Sequence, residues 1–274
     1  MDDASSPSDA ERERLDAVRR EVDRVDEQLL ALVGERLRLT DSLAVLKATG
    51  PGLPIRPGRE ITLLRKLIAE APQPVEPELV VELWRGLIAA SLRRQRKVDV
   101  VVGGGRNDPT RMFDIARRHF GARTRVQHVG EPQMALQRAA ENPENCVAVV
   151  PWLAAPGVGA WWPALSERRF HGLHLIAGLP MLGPASEEPE AAVFAVAQPE
   201  EGGRDVTLLL AFDPHHRLQR ALNEIGFTGK EVSRAEPRVL VRIDGFVAPN
   251  DTRAAALTSH GLDGVRVLGS YARI

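Results

Sequence analysis

Seven polar side chains could do chemistry together: Arg19, Arg36, Lys47, the pair Arg59-Glu60, Ser91 and Gln95. Arg36 continues a run of apolar residues, Leu15, Val18, Val22, Val25, Leu29 and Leu32, whose alternating three- and four-residue steps mark one helical face. Lys47 follows eleven residues later, which at about 100° per residue returns to within about 20° of Arg36. Two cations therefore project where leucines are expected. Burying unpaired charge costs several kcal/mol, and the seam offers no carboxylate, so something anionic is expected there. Arg19 lies on the same helix, about 100° round from Arg36. It cannot easily serve the same pocket within one chain, but it could serve a neighbour's. Ser91 and Gln95 are four apart and share a helical face.

A pocket of this kind holds cations, one carboxylate and two neutral hydrogen-bonding groups, with no cysteine, no histidine and no nucleophile–base pair. That inventory is poor for covalent or acid–base catalysis. It suits a small dianion that reacts by itself once held in shape. Arginines would clamp its carboxylates, and a lysine and an amide would sit where negative charge develops.

The elements that must position these groups come first in the chain. A polar lead, 1–8, precedes a helix starting near Ser8 or Asp9 and running to about Ala48, where Gly50-Pro51-Gly52 stops it. At about 60 Å it is too long to bury itself in a small domain, and its near-heptad seam argues for a second copy. A second helix is expected over about 59–70, closed by Ala71-Pro72-Gln73-Pro74. A third runs from about Glu76 to Arg96, with Pro77 in its first turn.

From Val98 strands and helices alternate. Strands are expected at Val98–Val102, near Arg125–His128 and at Cys146–Val150, with helices at about Pro109–Phe120 and Glu131–Ala140, a small parallel α/β layer. Residues 152–190 give no readable pattern. From Asp205 a βαββαβ order follows: Val206–Phe212, His215–Ile225, Lys230–Ser233, Arg238–Asp244, Thr252–Ser259 and Val265–Leu268. It predicts an antiparallel sheet with helices on one face. The domains read as 9–97, 98–203 and 204–274.

The 274 residues are 43% apolar and 27% charged with net charge −1, which excludes general affinity for nucleic acid or acidic membrane. The single cysteine, Cys146, fits a reducing compartment, and no apolar run approaches membrane-spanning length, so a cytoplasmic protein is expected. The cysteine-free surroundings of His171, His174, His215 and His216 argue against a metal, and no cofactor is expected. Gly103-Gly104-Gly105 reads as a tight turn rather than a phosphate cradle, and Trp152, Trp161 and Trp162 as core or interface.

Leu15-Asp16-Ala17-Val18-Arg19, Asp26-Glu27-Gln28-Leu29-Leu30, Glu35-Arg36, Lys47, Arg59-Glu60 and Ser91 with Gln95 together resemble the all-helical chorismate mutases over about residues 12–97. The resemblance implies an intertwined homodimer with two shared sites that converts chorismate to prephenate by a Claisen rearrangement. It implies that Arg36 and a neighbour's Arg19 bind the substrate carboxylates. Lys47 and Gln95 would bond the ether oxygen and Glu60 would take the ring hydroxyl, with Arg59 and Ser91 lining the pocket. The loop Ile55-Arg56-Pro57-Gly58 lacks the Asp that some members carry and has the Pro-x-Arg-Glu form.

The remainder resembles one lobe of a prephenate dehydratase (Val98–Gly105, Ala116–Gly121, Val147–Pro151) followed by an ACT-like regulatory domain (Val206–Phe212, Ser233–Pro237, Leu268–Tyr271). Trp152-Leu153-Ala154 replaces the dehydratase Glu-Asn-Ser, and Ala191–Phe194 carries no Thr-Arg-Phe. Arg217-Leu218-Gln219 replaces the effector-binding Gly-Ala-Leu. A degenerate dehydratase-like module is expected, with an aromatic amino acid as the possible effector. The rivals are a bifunctional mutase–dehydratase, and a non-catalytic helical dimerisation arm carrying an amino-acid sensor.

Overall fold

The computed structural model describes residues 8–47, 52–104, 109–153, 161–184 and 187–274. Most of the expected polar lead, the stop at Gly50-Pro51 and the third glycine of Gly103-Gly104-Gly105 lie outside these. The chain divides into two compact units, Met1–Gly50 and Pro51–Ile274.

The first unit is helix α1, Asp9–Lys47, 39 residues long. Ser8 and Glu11 close a capping box at its start: Glu11 N–H donates to Ser8 Oγ at 3.3 Å, and Ser8 N–H donates to Glu11 Oε2 at 2.7 Å. Two donors of the first turn are thereby satisfied, which is why the helix begins here. The seam from Leu15 to Leu32 is exposed in the single chain, between 43% at Val25 and 62% at Val18. An apolar stripe of that length is a surface that water leaves unsatisfied.

In the second unit, α2 (Pro57–Glu70) and α3 (Pro77–Gln95) each begin with proline, whose missing N–H costs nothing at that position. They pack on each other through Ile61, Leu64, Ile88 and Leu92, and this layer continues without a break onto Val100, Val102, Ile115 and Ala116. The parallel layer consists of β1 (Asp99–Gly103), β2 (Arg125–Val129) and β3 (Cys146–Pro151), in the order β2-β1-β3. Helices α4 (Pro109–Phe120) and α5 (Pro132–Glu141) make the crossovers.

The unreadable stretch holds a strand, β4 (His174–Leu179), and β5 (Ala191–Ala195) follows it. β5 runs antiparallel to β3, and β4 antiparallel to β5. Both are buried almost throughout, so neither shows the alternation by which half-exposed strands are recognised. Trp152, Trp161 and Trp162 are buried in the core with Phe170, Phe194 and Leu210.

The βαββαβ order is present as β6 (Asp205–Phe212), α6 (Leu218–Ile225), β7 (Gly229–Ala235), β8 (Arg238–Asp244), α7 (Thr252–Ala256) and β9 (Asp263–Ala272). Helix α6 starts later than His215 because the Asp213 carboxylate accepts from the N–H groups of Arg217 at 2.7 Å and Leu218 at 3.3 Å. α6 and α7 cover one face through Leu218, Leu222 and Ala254. The opposite face is covered by the tryptophan-rich stretch.

The two halves share one nine-stranded sheet, β2-β1-β3-β5-β4-β9-β6-β8-β7. They join where β9 meets β4 at Gly269 and Leu175. A Cβ on Gly269 would lie 2.2 Å from the Leu175 carbonyl oxygen, so only glycine permits this approach. No helix among the described residues is long and apolar enough to cross a membrane.

Candidate active site

On α1, Arg19 is exposed and forms a surface pair with Asp16 at 3.3 Å. Arg36 is half-buried, and burial lowers its pKa from the ordinary guanidinium value. Lys47 is the last residue of α1, and its side chain lies outside the described residues.

The other four fall on α2 and α3. Arg59 and Gln95 are exposed, whereas Glu60 and Ser91 are buried. Ser91 Oγ donates back to the Leu87 carbonyl at 2.9 Å. Glu60 is held by a residue the sequence reading left out, Arg85 of α3. Arg85 Nη1 donates to Glu60 Oε2, with the two side chains 5% and 10% exposed. Arg85 Nε and Nη2 both donate to the His119 carbonyl oxygen, at 2.9 and 2.6 Å. The His119 imidazole is kept neutral, because burial and the neighbouring Arg85 charge push its pKa well below the usual value. A signal for Arg85 was available. It lies three residues before Ile88 and seven before Leu92, on the buried stripe of α3, where a cation needs a partner.

Helix α2, which carries Arg59 and Glu60, is clamped by residues 200–203. Arg56 pairs with Glu200, and Arg65 donates to the carbonyls of Gly202 and Gly203. A Cβ on Gly58 would lie 2.5 Å from the Glu201 carbonyl oxygen. These contacts fix the position of α2 from the β5–β6 connection.

A cavity of about 530 Å³ opens between α3, α4 and the end of β4, walled by Arg85, Ile115, Arg118, His119 and Met181. Gly103 is a packing glycine: a Cβ there would lie 2.7 Å from Ala135 Cβ. Cys146 is buried, and burial followed by the Asp99 charge pushes its thiol up to about 11, so it is inert at neutral pH. Among the described residues there is no group of three or more metal-ligating side chains.

The three helices with their spaced cations and single carboxylate have a counterpart among known families. Residues 18–96 match the chorismate mutase type II family. All seven candidate residues fall inside the matched stretch. The chain is 30% identical over 117 residues to a bifunctional chorismate mutase/prephenate dehydratase of Pseudomonas aeruginosa, covering 41% of this chain and 32% of that protein. It is 34% identical over 97 residues to the protein of the same description from Aquifex aeolicus, covering 34% and 26%. The matched length is thus about a third or less of these relatives. Among solved structures, it is similar to the prephenate dehydratase of Arthrobacter aurescens in complex with L-Phe, at 15% identity and TM-score 0.45, covering 64% of this chain and 90% of that one. The prephenate dehydratase of Streptococcus mutans gives 16% and 0.43, covering 64% and 98%.

Proposed function

We propose that the protein is a chorismate mutase that rearranges chorismate to prephenate in phenylalanine and tyrosine biosynthesis. The observation that carries this reading is the family match over 18–96, which spans every residue the chemistry requires. Two copies pair along the α1 seam. In each site Arg36 and Arg19 of the partner subunit bind the two substrate carboxylates and fold the enolpyruvyl arm over the ring. This is catalysis by orientation: the reaction is intramolecular, and the cost of reaching the reactive conformer is met by binding. Lys47 and Gln95 donate to the ether oxygen as its bond to the ring breaks and charge gathers there. Glu60 accepts from the ring hydroxyl, and Arg59 and Ser91 line the pocket. No protein atom is bonded to the substrate and no proton is transferred, in keeping with the lack of a nucleophile–base pair among these residues.

Residues 98–274 serve as a dehydratase-like and ACT-like module without dehydratase activity. Trp152 and Leu153 stand where the dehydratase pattern has polar residues, and both are buried in the core. The names of the relatives favour a second reading, a mutase that also dehydrates prephenate. One experiment separates the two. Full-length protein is given chorismate, and both the loss of chorismate absorbance and the appearance of phenylpyruvate are followed. Loss of chorismate without phenylpyruvate is expected. Phenylpyruvate formation would establish the second reading, and undiminished chorismate would refute both.

A further inference from the structure

We propose that Arg85 is a positioning residue for the mutase reaction: it holds the Glu60 carboxylate by Oε2, leaves Oε1 for the substrate hydroxyl, and is itself held by the last turn of α4. This rests on the mutase reading, and makes the α/β part of the chain a structural component of the mutase site.

The geometry is built for one purpose at each link. Arg85 is only 4% exposed, and a buried guanidinium is tolerated when its donors are used. Nη1 takes Glu60, while Nε and Nη2 converge on the His119 oxygen. That oxygen belongs to the last turn of α4, where carbonyls lack intrahelical partners and the helix dipole is negative, so a cation is favoured there. The turn reaches α3 because α4 is followed at once by Gly121, with φ +87°. A Cβ there would lie 2.7 Å from Ala89 Cβ, one helical turn along α3 from Arg85. The neutral His119 ring adds no competing charge beside the guanidinium. At the other end, Glu60 Oε2 is committed to Arg85, and no hydrogen bond to Oε1 is made among the described residues. One oxygen is anchored and the other is left for a donor, which is what fixing the direction of a single hydrogen bond to a ligand requires.

The simpler role for such a pair is to fasten α2 to α3. The two roles separate in a double-mutant cycle on full-length protein, with Glu60→Gln, Arg85→Gln and both together. Folding is checked by circular dichroism and melting, and kcat and KM are measured with chorismate. The bond to the ring hydroxyl is neither made nor broken in the rearrangement, so its hydrogen bond is expected to be held about equally in ground and transition states and its loss to fall on KM. Arg85→Gln is expected to lower kcat/KM by roughly tenfold or more, mainly through KM. In the Glu60→Gln background the same change is expected to cost less than about twofold, because the residue it acts through is gone. Arg85→Lys is expected to restore part of the loss. Folded Arg85→Gln protein with unchanged KM, or losses that multiply across the two sites, would overturn the proposal. Should Arg85→Gln fail to fold, the double variant, which leaves no charge unpaired, is compared with Glu60→Gln. Equal KM supports the proposal and a roughly tenfold difference overturns it. A wild-type protein without mutase turnover would instead overturn the mutase reading and take this inference with it.

Discussion

Gly121 at the end of α4 stands against Ala89 of α3 so closely that an added Cβ would lie 2.7 Å from the alanine Cβ. It also adopts φ +87°, which residues with a side chain rarely take. Gly121→Ala therefore adds left-handed strain to a contact with little room to give. We expect a loss of about 1–3 kcal/mol in a denaturant melt. Stability within about 0.5 kcal/mol of wild type would show that α4 can withdraw from α3 at little cost.

The long helix is expected to need a second copy. Leu29 is 54% exposed in the single chain and lies on the seam. Leu29→Asp places a charge in a paired apolar stripe, and sedimentation should report a dimer for wild type and a monomer for the variant. In the proposed shared site Arg19 comes from the partner subunit, so mutase turnover should be lost together with dimerisation. A wild-type monomer that turns over chorismate would contradict the shared site.

Under the proposed mechanism, in which Lys47 donates to the oxygen on which charge develops, Lys47→Ala is expected to lower kcat by about a hundredfold or more while leaving the melt unchanged. Gln95, the second donor, is neutral, so no group with a pKa near neutrality is required to be protonated there. The wild-type rate should stay within about twofold between about pH 6 and 8. A sharp fall across that window would place a titrating group at the ether oxygen.

Asp213 and Arg234 form an ion pair at 3.0 Å in which the aspartate is fully inaccessible and the arginine half-buried. Although burial opposes it, the Arg217 and Leu218 N–H groups and Arg234 hold the Asp213 pKa below its ordinary value. A carboxyl whose pKa is lower when folded contributes stability above its unfolded pKa of about 3.9 and loses it as pH falls through the folded value. Wild type should therefore lose stability relative to Asp213→Asn only below about pH 4, with the gap constant from about pH 5 to 8. Arg234→Ala removes one donor from the inaccessible carboxylate but leaves the Arg217 and Leu218 N–H groups, and should cost about 1–3 kcal/mol at neutral pH. A gap that widened above neutrality would contradict this assignment.

Local pattern was sufficient for much of this protein. The α1 seam from Leu15 to Leu32 declares a helix and its unpaired face, because a period near 3.6 is set by backbone geometry alone. Ser8 and Pro77 mark helix starts because the first N–H groups need partners, or need none. The βαββαβ order from β6 onward was legible even though β6 is itself buried almost throughout. The seven candidate residues were legible as types and spacings on three helices. What tertiary structure decided was everything that depends on burial from both sides or on contact across distance. β4 and β5 carry no alternation because almost every side chain is inside. The single sheet depends on Gly269 admitting the backbone of Leu175 from nearly a hundred residues away. Arg85 could be placed on a buried stripe from sequence. Its partners, Glu60 and the His119 carbonyl, lie 25 and 34 residues distant, and only the packing of α2, α3 and α4 brings them within hydrogen-bonding reach.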